Sequence, residues 1–154
     1  VPGRERGIWY GAASQQPDGR PADAVLGALA ETCADTHTID RAVNARTLVV
    51  CSPARLLRLL RLDSSWLSAA HGNAALWAGP RAVAQAWSRA IYDQYPELDG
   101  VSYPSSNHPG SRCVALFERA ADALRTPTLL RPLTDPGLLP YLVRASDELG
   151  WPLT

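Results

Sequence analysis

RAVAQAWSRAIYDQYPELDGVSYPSSNHPGSRCVALFER, residues Arg81 to Arg119, reads as a helix, a strand, a polar loop and a second strand. Val83, Trp87, Ile91 and Tyr95 fall four apart with Ala84 and Ala90 alongside, the spacing of one helical face. Pro96 ends that helix, because the residue before a proline is pushed out of the helical region. Asp99-Gly100 then makes a turn. Val101–Tyr103 and Arg112–Phe117 are short apolar runs suited to strands. Between them YPSSNHPG gathers hydroxyls, an amide and an imidazole. A short polar loop presented by a buried scaffold is a common way to build a small-molecule site.

Upstream, Ile8–Ala13 (IWYGAA) reads as a buried strand, and the turn residues of SQQPDGRP follow it. Asp23–Ala34 carries Val25, Leu26, Leu29 and Cys33 at helical spacing. Glu31 lies in that helix among Ala28, Ala30 and Ala34, which makes it either a solvated carboxylate or one that another element approaches closely. Thr47–Cys51 (TLVVC) is a further apolar strand. Ser52-Pro53 then reads as a helix start, with Arg55, Arg58 and Arg61 forming a basic stripe among leucines. Such a stripe is a solvated face or, in the sharper reading, a surface for a partner or an anion. Asp135-Pro136 opens a last helix that stops near Gly150. Helices and strands follow one another without regular alternation, so the expected class is α+β, not a doubly wound parallel sheet. Neither GxGxxG nor GxxxxGK[ST] occurs, so a nucleotide would bind by another route.

Composition narrows the function. The 154 residues are 46% hydrophobic and 19% charged, as expected for one soluble globular domain. Lys plus Arg balance Asp plus Glu at 15 each, and the absence of a basic excess argues against broad nucleic-acid binding. All 15 cations are Arg, which excludes a lysine nucleophile or Schiff base. No apolar run reaches the roughly 20 residues that span a bilayer, and VPGRERG has no apolar core behind its charges. The chain starts at Val1 and not Met, so residues upstream of it are expected. Cys33, Cys51 and Cys113 are widely spaced and read as buried free thiols. His37, His71 and His108 lack metal-ligand spacing, and no metal is expected. Ser105 or Ser106 with His108 lacks the GxSxG turn of a hydrolase nucleophile.

GIWYGAA, then ALAET, then QAWSRAIYDQYPELDGVSYPSS and CVALFERA, in that order, resemble the RES domain family, named for its Arg, Glu and Ser. The resemblance covers roughly Gly7 to Ala120, and the AW-x-x-A-I, DG-x-x-Y-x-S and ALF pieces are its specific part. It implies an ADP-ribosyltransferase-like fold, a mixed or antiparallel split sheet flanked by helices. It also implies a bacterial toxin that consumes NAD as a substrate, with no resident cofactor. Glu31 matches the family's Glu and would be catalytic; Tyr10 matches its aromatic and Ser105 its Ser, both toward NAD. Tyr103 and Asn107 are further candidate NAD contacts from the same loop. The family's Arg lies well upstream of the Tyr strand and would clamp the pyrophosphate, whereas only Arg4 and Arg6 precede Tyr10 here. Either the Arg-bearing segment is absent from this chain, or Arg4 substitutes as the pyrophosphate ligand, or the site is crippled. SQQPDGRPAD lengthens the Tyr10–Glu31 separation beyond the family's pattern, an insertion that loops tolerate.

The implied activity is cleavage of the nicotinamide–ribose bond by phosphorolysis or hydrolysis. Its alternatives are ADP-ribose transfer to a protein and a non-catalytic module lacking the upstream Arg. The expected partners are a cognate Xre-type antitoxin or immunity protein and a second copy of the chain in a homodimer, with no membrane and no nucleic acid contacted directly. The cytoplasm is the expected location, or a target cell's cytoplasm if the toxin is exported. Residues 1–125 would form the catalytic domain, and 126–154 a C-terminal helical extension packed on it.

Overall fold

A computed structural model describes residues 8–13, 21–63, 65–66, 80–124 and 126–154. Arg4, Arg6, His71 and most of the SQQPDGRPAD insertion lie outside them. The fold is a mixed α+β domain with two sheets. Strands β1 (Ile8–Ala13), β3 (Leu59–Arg61), β4 (Gly100–Pro104) and β5 (Arg112–Phe117) form the larger sheet in the order β1-β5-β4-β3. β1–β5 and β5–β4 are antiparallel and β3–β4 is parallel, so the sheet is mixed. Strands β2 (Thr47–Val50) and β6 (Leu129–Pro132) pair antiparallel as a separate ribbon. The α-helices are α1 (Pro21–Thr32), α2 (Arg81–Gln94) and α3 (Leu139–Leu149).

The register sorts the side chains of the large sheet. Tyr10 stands opposite Ala115, which stands opposite Val101; Ala12 stands opposite Cys113, which stands opposite Tyr103. Cross-strand partners share a face, as do alternate residues along a strand, so all six lie on one face. Val101, Ala115 and Phe117 bury this face together with Ile91 and Leu62, and Trp87, Tyr92 and Tyr103 pack against them. Of the four-residue spacing that marked the apolar side of α2, Trp87, Ile91 and Tyr95 pack in this core, while Val83 is exposed. At its end Arg119 donates to the carbonyls of Tyr92, Tyr95 and Pro96 and lies 3.7 Å over the Tyr92 ring. A cation at a helix C-terminus satisfies leftover carbonyls and opposes the dipole.

A second core joins α1 to the C-terminal part of the chain. Val25, Leu26, Leu29 and Cys33 of α1 pack with Ile39, Leu133, Leu138, Leu142 and Ala145. Leu142 is fully buried, and burying such a side chain contributes about 2 kcal/mol. Asp135 caps the turn before α3 by accepting from the Gly137 amide at 2.8 Å. Gly150 ends the helix at φ 67°, the left-handed conformation glycine adopts at no steric cost.

Two expectations fail in the segment after β2. Ser52 to Leu62 is not a helix: the chain runs irregularly from Cys51 and then enters β3. Leu56 is 94% exposed, and Cys51 is exposed where a buried thiol was expected, whereas Cys33 and Cys113 are buried. The competing force is visible. Asp99, buried at the entrance to β4, accepts two bonds from Arg55, at 2.9 and 2.7 Å, and one from the Arg58 amide at 2.8 Å. Arg55 also holds Asp122 at 3.0 and 2.9 Å. Two carboxylates gripping one guanidinium outweigh the modest preference of a leucine–arginine pattern for helix.

The Arg55 guanidinium beside them holds the Asp99 and Asp122 carboxyls below the usual range. A lowered folded pKa gives stability that is fully present above the unfolded carboxylate value of about 4 and is lost as pH falls through the folded values. Arg55→Ala should therefore lower the urea midpoint clearly at pH 7. Its difference from wild type should shrink progressively below about pH 4. A difference that is the same at pH 7 and pH 3 would contradict this linkage.

Candidate active site

Glu31 and Ser105, separated by 74 positions, meet through a 2.5 Å hydrogen bond from Ser105 Oγ to Glu31 Oε1. That length is typical of a hydroxyl donating to an ionised carboxylate. Ser105 sits just after β4 and is 6% exposed, while Glu31, in the last turn of α1, is exposed. The loop that presents Ser105 is tied to itself. The Ser105 amide donates to the Ser111 carbonyl at 2.9 Å, and the Ser111 amide to the His108 carbonyl at 2.9 Å. Ser111 Oγ and His108 Nδ1 are 2.9 Å apart. The amides of Asn107 and His108 both donate to Ser105 Oγ, at 3.1 and 3.0 Å. The polar composition of YPSSNHPG thus builds a hydrogen-bonded turn around one hydroxyl.

The approach of α1 is set by Gly27, one helical turn before Glu31. A Cβ there would fall 2.9 Å from both Cβ and Oγ of Ser111 and 3.0 Å from the Ala12 Cβ. Only a residue without a side chain lets the helix lie this close to the sheet. Ala30, fully buried, continues the contact side. The small residues around Glu31 therefore mark a closely approached helix surface, the second of the two sequence alternatives.

Tyr103 and Cys113 stand opposite each other in the sheet and belong to the same cluster. Cys113 is buried, and its thiol is pushed up to about 12, by burial first and then by the negative charge of Glu31 and a hydrogen bond with it. Tyr103 is raised above its ordinary value by burial, with smaller contributions from Cys113, Glu31 and Tyr10. A thiol so disfavoured as thiolate is a poor nucleophile. Tyr10 is 68% exposed on edge strand β1, on the same sheet face as Tyr103. The arrangement is one exposed carboxylate hydrogen-bonded to the buried Ser105, with Tyr103 within its electrostatic reach and Tyr10 on the same sheet face.

Of the residues singled out in the sequence, Glu31, Ser105, Tyr103 and Tyr10 converge here. Asn107 stands on the same loop with its side chain exposed, and its amide serves Ser105. Arg4 lies outside the described residues. Gly27, Ser111 and Cys113 were not anticipated as site residues. A glycine inside a helical pattern, four residues before the candidate Glu, was the available signal for Gly27. Among the described residues no group of three or more His, Cys, Asp or Glu side chains is arranged to hold a metal, and no helix is long and apolar enough to cross a membrane.

This is an α+β domain with a carboxylate–hydroxyl pair at the junction of a helix and a β-hairpin loop. A family model for the RES domain matches residues 2–136, and the chain belongs to the RES domain family. That family is associated with NAD-related enzymatic toxins. Neither a curated protein nor a solved structure matches the chain.

Proposed function

We propose that the chain degrades NAD by cleaving the nicotinamide–ribose bond. The observation that carries this reading is the Glu31 carboxylate, held by Ser105 and near Tyr103, in a chain of the RES family. In the reaction the bond from ribose C1 to the nicotinamide ring nitrogen breaks. Its electron pair returns to the ring, and the cationic pyridinium leaves as neutral nicotinamide. Positive charge develops on the ribose, as in glycoside cleavage. A fixed carboxylate facing that charge stabilises the transition state without reorganising during the reaction. Glu31 takes this role and grips the ribose hydroxyls. Tyr10 offers a ring on which nicotinamide or ribose can stack. Tyr103 and Asn107 supply further polar contacts, and Arg4 would pair with the pyrophosphate, a match suited to the guanidinium fork. The leaving group is already cationic, so the site needs no general acid. The acceptor is water, giving ADP-ribose and a proton, or phosphate, giving the ADP-ribose 1-phosphate ester. Ring atoms and charge balance in both.

The acceptor is tested by incubating the protein with NAD in phosphate-free buffer and again with phosphate added. The expected result is nicotinamide release in at least one condition. Release only with phosphate identifies phosphorolysis, and equal release in both identifies hydrolysis. With NAD labelled in its adenylate half, label retained on protein would replace this reading with ADP-ribosyl transfer. As a toxin the protein would be neutralised by an Xre-type antitoxin or an immunity protein.

A further inference from the structure

The bonding capacity of the Ser105 hydroxyl is fully used inside the protein. A serine hydroxyl has one proton and two lone pairs. The proton goes to Glu31 Oε1 at 2.5 Å, and the lone pairs accept from the Asn107 and His108 amides at 3.1 and 3.0 Å. At 6% exposure Ser105 also lies behind the exposed Glu31, not beside it in solvent. The Cys113 thiol also hydrogen-bonds this side chain, so a ligand could bond to the hydroxyl only by displacing a protein partner.

We infer that Ser105 is a positioning residue for Glu31, not a substrate contact, and that the Asn107 and His108 amides act through it on the carboxylate. Two amide dipoles converge on the hydroxyl oxygen and polarise its O–H bond, which strengthens donation to Glu31. One carboxylate oxygen is thereby pinned. That fixes the plane of the group and the direction in which its other oxygen is presented. The buried Cys113 thiol faces the same carboxylate from the adjacent strand and restricts it from below. Long glutamate side chains have considerable rotamer freedom, so a carboxylate on a helix surface needs such support to hold a catalytic geometry.

The inference rests on the NAD-cleaving reading for its kinetic arm and stands alone in its structural arm. Nicotinamide release and NAD binding are measured for wild type, Ser105→Ala, Ser105→Cys, Glu31→Ala and the double variant Glu31→Ala/Ser105→Ala. Misplacing a reacting group by about 1 Å costs roughly 100-fold, so kcat of Ser105→Ala should fall about 30- to 100-fold while KM for NAD changes less than about 3-fold. Ser105→Cys, nearly isosteric and a weak donor, should fall between wild type and Ser105→Ala. The serine change should add no more than about 2-fold to the loss in Glu31→Ala, because residues acting as a unit are not additive. A rise in KM with kcat unchanged, an independent loss in the double variant, or no effect of Ser105→Ala would each overturn the inference. If the wild type releases no nicotinamide, the NAD reading fails. The crystal structure of Ser105→Ala, or of Ser105→Cys if the former does not fold, then decides: a displaced Glu31 carboxylate supports the positioning role, and an unmoved one overturns it.

Discussion

Glu31→Gln should reduce nicotinamide release at least about 10³-fold, as much as Glu31→Ala, while leaving the fold intact. The two variants separate charge from shape. Gln retains an oxygen that accepts from Ser105 Oγ and so preserves the 2.5 Å link between α1 and the β4–β5 loop in form. It lacks the negative charge that would face the developing ribose cation. Glu31 is exposed in the last turn of α1, and both replacements are comfortable in a helix. Ala does leave the Ser105 proton without its acceptor, a cost of about 1 kcal/mol that a domain of this size tolerates. Circular dichroism and thermal melting establish folding, and the release assay reads the chemistry. A Gln variant with substantial activity would make Glu31 a hydrogen-bonding residue, not an electrostatic one.

Gly27→Val should be the most disruptive single change at the junction between α1 and the sheet, with Gly27→Ala a milder version. Two effects oppose each other in the alanine variant. Replacing a mid-helix glycine gains about 1 kcal/mol of helix propensity, whereas overpacking a tight contact costs about 1–3 kcal/mol. The new Cβ would meet Ser111 at 2.9 Å and Ala12 at 3.0 Å, both carried by the sheet or its loop. Ser111 and Ala12 can yield only if α1 moves, and Glu31, one turn further on, moves with it. The alanine variant should therefore melt near or below wild type and still lose release activity about 10- to 100-fold, through displacement of the carboxylate. Valine, with two further methyls at the contact, should lose both stability and activity. Wild-type melting and release by the valine variant would show that the close approach is not what sets the site.

The pattern of which features were legible follows from the range of the forces involved. β4, β5 and α2 appear directly in the Arg81–Arg119 stretch because their signals are local: a four-residue apolar spacing, a proline stop and two short apolar runs. β1, α1, β2 and α3 are local in the same sense, and their observed bounds differ from the expected ones by only a few residues, although β1, expected to be buried, is an edge strand with Trp9 and Tyr10 exposed. The segment after Cys51 misled because Arg55, Arg58 and Arg61 at spacings of three imitate one face of a helix. Its conformation is decided instead by Asp99, 44 positions from Arg55, which no window of local sequence contains. β6 was overlooked because Leu129–Pro132 is four residues long and is stabilised by a partner strand some eighty positions away.

The site divides in the same way. Family resemblance, not periodicity, selected Tyr10, Glu31 and Ser105. Glu31 alone could equally have been a solvated helix carboxylate. What the three-dimensional arrangement adds is the 74-residue link from Ser105 to Glu31, the small-residue contact at Gly27 that permits it, and the buried Cys113 beside it. None of these has a one-dimensional signature stronger than a lone glycine in a helix or a cysteine in a strand.

NAD cleavage is tested by supplying purified protein with a large molar excess of NAD and quantifying free nicotinamide by chromatography over time. Many equivalents of nicotinamide per chain are expected, the mark of turnover. No release above a protein-free control, in buffers both with and without phosphate, would contradict the proposed cleavage.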